Sequence, residues 1–130
     1  ESSARRVAEG RSMKLVRDIT LIMAFYDNSR MLERHYYELH KLPVGMKERL
    51  RLIVVDDGSP EPAHKPESQL GVPFEIYRMS VDVRWNQDAC RNIGAHHVKT
   101  DWLLLTDIDH LVPLETWQHV LSVKLDAAKV

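Results

Sequence analysis

The chain has 130 residues and a single cysteine, Cys90. One cysteine excludes a disulfide framework within the chain and fits a reducing compartment, so a cytoplasmic location is the expectation. No apolar run is long enough to cross a bilayer, and no secretory signal peptide is recognisable. Neither sign of charge dominates: 18 Lys and Arg stand against 19 Asp and Glu, for a formal net charge of -1. That balance gives no electrostatic case for nucleic acid or an anionic membrane surface as a partner. Internal repeats are also lacking. What remains, 44% apolar and 28% charged residues, is the composition of a folded chain rather than a disordered one. Its length suits one domain around one core.

Residues 1–12, ESSARRVAEGRS, show no strand period and few large apolar residues, and Met13 follows them. We read them as an appended or flexible leader with Met13 as the native start. Residues 13–130 are read as a single domain.

Within that domain, apolar runs alternate with helical patterns. Asp18 to Phe25, Leu50 to Val55 and Trp102 to Thr106 read as buried strands, and Phe74 to Met79 as a further strand. Asn28 or Ser29 can cap a helix running to about Leu42, with Leu32, Tyr36 and Leu39 as its core stripe. A second helix is expected over Asn86 to Val98. A third follows Pro113, with Leu114, Trp117, Leu121 and Leu125 inward. The stretch from Pro60 to Pro73 carries four prolines and reads as a loop. Alternating strands and helices imply an α/β fold with a mostly parallel sheet, its four strands in the order 3-2-1-4. Ligands in such sheets bind outside the carboxyl ends of the strands, at the point where the strand order reverses.

The residues at three of those ends are unusual for packing. The first strand ends in Ala24-Phe25-Tyr26-Asp27-Asn28, the second in Asp56-Asp57-Gly58-Ser59, and the fourth in Asp107-Ile108-Asp109-His110. A charge is costly to bury unless it is paired or bound to a metal. Alternation along a strand would put Asp107 and Asp109 on one face. Two oxygen ligands there suit Mg²⁺ or Mn²⁺, with phosphate completing the shell and His110 as a further candidate ligand. The plainer readings are helix capping before Pro113, which would need only one acid, or salt bridges on the rim. Asp56 and Asp57 could serve a turn and a ligand together. Arg91, in the second helix, could pair with a diphosphate or lie on a solvated face. Trp85 and Asn86 could simply close the core and cap a helix. Gly94 would allow close helix packing. Cys90 has no obvious base partner and reads as inert. His35, His40, His64 and His119 show no ligand spacing.

Together, AFYDN, VVDDGS, DACRNIGA and TDIDH resemble the motif series of the GT-A nucleotide-sugar glycosyltransferases, above all family 2. The runs WNQDACRNIGA and LLLTDIDHLVP also resemble the β-1,4-galactosyltransferase group. The resemblance spans Ile19 to about Trp117 and implies a Rossmann-like GT-A nucleotide-binding domain acting on a UDP-sugar. It implies that Ala24, Phe25 and Tyr26 line the nucleoside pocket, and that Asp57, helped by Asp56, contacts the base. By the same resemblance Arg91 reaches the nucleotide and Asp107 touches ribose or a metal-bound water. Asp109 then holds the divalent Mn²⁺ or Mg²⁺ that bridges the diphosphate. Family members carry their acceptor site and general base beyond this last motif. This chain is therefore expected to lack most of the acceptor half, with its catalytic base and its acceptor unassigned, and to show at most weak transfer or donor hydrolysis. The sheet edge left open would favour self-association. Two other readings fit parts of the pattern. One is a nucleotide-binding module without catalysis. The other is a haloacid-dehalogenase-like phosphatase using Asp107 and Asp109, although that family's motif opens its fold.

Overall fold

The computed structural model describes residues 4–9, 18–79 and 87–122. Five strands form one sheet in the order β1-β4-β3-β2-β5, with β1 at Ala4–Glu9, β2 at Ile19–Phe25, β3 at Leu50–Asp56, β4 at Phe74–Met79 and β5 at Trp102–Asp107. The four strands expected from the sequence are all present, but β5, expected to be buried, is not: it lies at the sheet edge with Leu103 and Leu105 exposed. The four pair in parallel, β4-β3-β2-β5, which is the expected order 3-2-1-4. Strand β1 is an addition, pairing antiparallel with β4 and bulged between Arg6 and Ala8. Residues 4–9, expected to lie outside the domain, give no hint of it in their sequence, because edge pairing can rest on main-chain groups that every residue carries.

Strand β2 lies between β3 and β5, and all of its residues are buried. Such a strand must be apolar on both faces, which is why ITLIMAF reads as a continuous run. One face carries Ile19, Leu21, Met23 and Phe25. They pack with Leu32, Tyr36 and Leu39 of α1 (Ser29–Lys41) and with Trp117 and Leu121 of a later helix, Leu114–Ser122. The other face carries Ile22 and Ala24, which join Ile53, Val55, Cys90 and Ile93 beneath the helix Gln87–His96. A short helix, α2 (Val44–Lys47), follows Pro43. The helices Gln87–His96 and Leu114–Ser122 are therefore α3 and α4, and the sheet is sandwiched between helices. Gly94 sits where α3 crosses the sheet. A Cβ there would lie 2.5 Å from Ile22 Cγ2, so only glycine lets the helix approach this closely.

Some expectations shift in detail. Leu114, placed inward by periodicity, is exposed, because it opens α4 before the helix reaches the core that Trp117 and Leu121 fill. Trp85, Asn86 and Leu125 lie outside the described residues. No helix among the described residues is long and apolar enough to cross a membrane.

Candidate functional site

The parallel register sets three strand exits side by side. Phe25 at the end of β2 pairs with Asp56 at the end of β3, and Ala24 pairs with Asp107 at the end of β5. The acids noted in the sequence therefore flank one short stretch of β2. The strand order reverses there, which is where α/β sheets hold their ligands.

The β3 exit is a closed hydrogen-bonded structure. The Asp56 carboxylate is 1% exposed and accepts from Ser59 N at 2.9 Å, Ala63 N at 2.8 Å and Arg78 Nη1 at 2.8 Å. The other guanidinium arm of Arg78 donates to Ser59 O at 2.8 Å. Gly58 turns the chain at a φ of 70°, a left-handed conformation that favours glycine. Ser59 Oγ takes the Asp27 N–H at 2.8 Å and donates to Glu61 O at 2.8 Å, tying the β2 exit to the β3 loop. Asp57 N donates to Phe25 O at 2.9 Å.

Two expectations are corrected here. The Asp56 carboxylate is buried and holds its own loop through three hydrogen bonds, so here it supports the site and presents no exposed face to a base. Phe25 is wholly buried in the core, so its ring does not line a pocket, and its carbonyl is taken by the Asp57 N–H. Ala24 is buried as well, while Tyr26 is 45% exposed beside the exit. The Asp57 carboxylate, nearly buried, hydrogen-bonds with the Cys90 thiol. Burial first, and then the Asp57 charge, push that thiol to about 12, which agrees with an inert cysteine.

The β5 exit is open. The strand ends at Asp107, and Ile108 and Asp109 form a turn. Strand alternation therefore stops before it can align the two acids. Asp107 Oδ1 pairs with Arg91 Nη2 of α3 at 2.5 Å, and its Oδ2 lies 3.9 Å from His110 Nδ1. Asp109 Oδ1 accepts from Asn28 Nδ2 at 3.1 Å. Asn28 also caps α1, its Oδ1 accepting from Met31 N at 3.3 Å. Between the acids, Ile108 turns its side chain into the core. Its carbonyl accepts from the buried His35 Nε2 at 2.9 Å.

Arg91 was expected to reach a nucleotide; here its guanidinium engages Asp107, one of the proposed ligand contacts. His110 is largely exposed next to Asp107. The sequence reading passed over His35 and Arg78. Each has a visible signal in retrospect: a histidine inside the Leu32, Tyr36, Leu39 stripe, and an arginine near the end of a buried strand.

Residues 21–128 match the model of the glycosyltransferase-like family 2. The chain belongs to that family. Membership leaves no support for the phosphatase reading, whose nucleophile would in any case need Asp107 free of its arginine. No curated protein matches the chain. Among solved structures the fold is similar to that of S. aureus TarS residues 1–349. That structure superposes with a TM-score of 0.60 at 16% identity, over 81% of this chain and 31% of the other. The same protein in complex with UDP gives a TM-score of 0.61 at 15% identity, covering 81% and 31% of the two chains. In complex with UDP-GlcNAc it gives 0.58 at 14%, covering 81% and 30%. The family member described here thus spans about a third of the length of the relatives it resembles.

Proposed function

We propose that the chain is the donor-binding part of a glycosyltransferase, and that it takes a UDP-sugar through a divalent metal at the β5 exit. The observation that carries this reading is the juxtaposition of the β3 and β5 exits on either side of Ala24 and Phe25. One exit would take the nucleoside and the other the diphosphate. Family membership supports it, as does the likeness of fold to one protein solved both with UDP and with UDP-GlcNAc.

The donor set fits Mn²⁺ or Mg²⁺ in a particular way. Among the described residues no cluster of three or more His, Cys, Asp and Glu gathers as a self-sufficient metal cage. Hard divalent ions bound with nucleotides typically take one or two carboxylates and complete their shell with phosphate and water. Asp109 would be the ligand, with Asp107 turned to ribose or a metal-held water and His110 at the rim. When bound, the ion would neutralise charge on the departing diphosphate. Arg91, already oriented by Asp107, is a second positive group at the same exit. Asp57 would face the base from the β3 side, and Tyr26 offers an exposed ring between the two exits.

Calorimetric titration of UDP into the full chain, with Mn²⁺ or with chelator, tests this reading. It measures binding rather than turnover.

A further inference from the structure

The turn carrying Asp109 is gripped by helix α1 at two points. Asn28, the cap, donates to the Asp109 carboxylate. Two helical turns further on, His35 donates from Nε2 to the carbonyl of Ile108, the residue between the two acids. A carbonyl can only accept, so Nε2 must carry the proton. Burial also lowers the imidazole pKa from its ordinary value, so the ring is a neutral donor at neutral pH.

The position of this histidine is unusual. It is 2% exposed on the stripe of α1 that otherwise supplies Leu32, Tyr36 and Leu39 to the core. An aliphatic residue would fill the same space, but it would leave a buried carbonyl without a donor. The turn's other ties are the His110 N–H bond to the Asp107 carbonyl at 3.1 Å and the Asn28 bond to Asp109. Thr106 Oγ1 reaches the His110 carbonyl only at 3.4 Å, and Asp109 and His110 are exposed.

We propose that His35 is a positioning residue for the metal-diphosphate site: its bond to the Ile108 carbonyl fixes the turn so that Asp107 and Asp109 present their carboxylates together at the β5 exit. The proposal rests on the donor-site reading above. Partners that orient metal ligands from outside the coordination shell typically change metal affinity by roughly 10- to 100-fold when removed.

The test is UDP binding, with and without Mn²⁺, for the wild type, His35→Leu and His35→Gln. Glutamine places an amide N–H near the position of the imidazole Nε2, whereas leucine places none. For H35L, the Mn²⁺-dependent gain in UDP affinity should fall by roughly tenfold or more, while Mn²⁺-free affinity changes less than about threefold. H35Q should regain most of the loss. An H35L chain that melts like the wild type and keeps the full Mn²⁺ gain would overturn the proposal. So would equal losses with and without Mn²⁺, which would mark a general packing role. If H35L does not fold, His35→Asn against H35Q decides: the shorter amide cannot reach Ile108, so equal Mn²⁺ gains would contradict the proposal. A wild type without any Mn²⁺-dependent UDP binding would be a different failure, removing the donor-site reading itself.

Discussion

Two strand exits in this protein carry a pair of acids, and the structure uses them in opposite ways. At the β3 exit the first acid, Asp56, is buried and saturated by two backbone N–H groups and Arg78. At the β5 exit Asp107 is 44% exposed and paired only at its rim with Arg91, and among the described residues the Asp109 carboxylate meets only Asn28, the cap of α1. The lesson is that an acid at a strand end is informative only once its partners are counted. A carboxylate whose acceptor positions are filled from within builds the site, and one that keeps them open to solvent can take a ligand.

The comparison can be broken by exchanging the two kinds of loss. Asp56→Ala should have the largest effect on folding. It leaves Arg78 Nη1 and the Ser59 and Ala63 N–H groups without their acceptor at a partly buried exit, a loss of roughly 2–3 kcal/mol. A urea unfolding midpoint close to that of the wild type would show that the β3 exit is not the support described here. Asp109→Ala should do the reverse. Stability should stay within about 0.5 kcal/mol of the wild type, as for exposed sites generally, while the Mn²⁺-dependent part of UDP binding falls by roughly 100-fold. Unchanged Mn²⁺ dependence would take Asp109 out of the site. The smallest effect is expected at Cys90, beneath the β3 exit. The thiolate is the reactive form, and with the thiol pushed to about 12 the native chain at pH 8 should resist iodoacetamide for as long as the urea-unfolded chain takes to react fully. Rapid native labelling would mean that the α3 side of the site opens in solution.

The sequence made the sheet largely legible, because β2 and most of β3 are buried and a strand covered on both faces must be written largely in apolar residues. Asn28 was legible as a cap and Gly94 as a close approach, since each depends on local chemistry. Strand β1 was not legible, because its pairing leaves no period in ARRVAE. The division of labour between acids was also hidden. Asp56 and Asp109 are the same residue type at similar places, and what separates them is Arg78 on one side and α1 on the other, both distant in sequence. His35 was missed for the same reason: its partner is a backbone carbonyl 73 residues away, and backbone acceptors carry no sequence signature.

The most direct measurement is the affinity of the full chain for UDP in Mn²⁺ and in EDTA. Saturable binding that weakens at least about tenfold when the metal is removed is the expected result, since the diphosphate would lose the ion that joins it to Asp109. Equal affinity in the two conditions, or no binding in either, would contradict a metal-diphosphate site at the β5 exit.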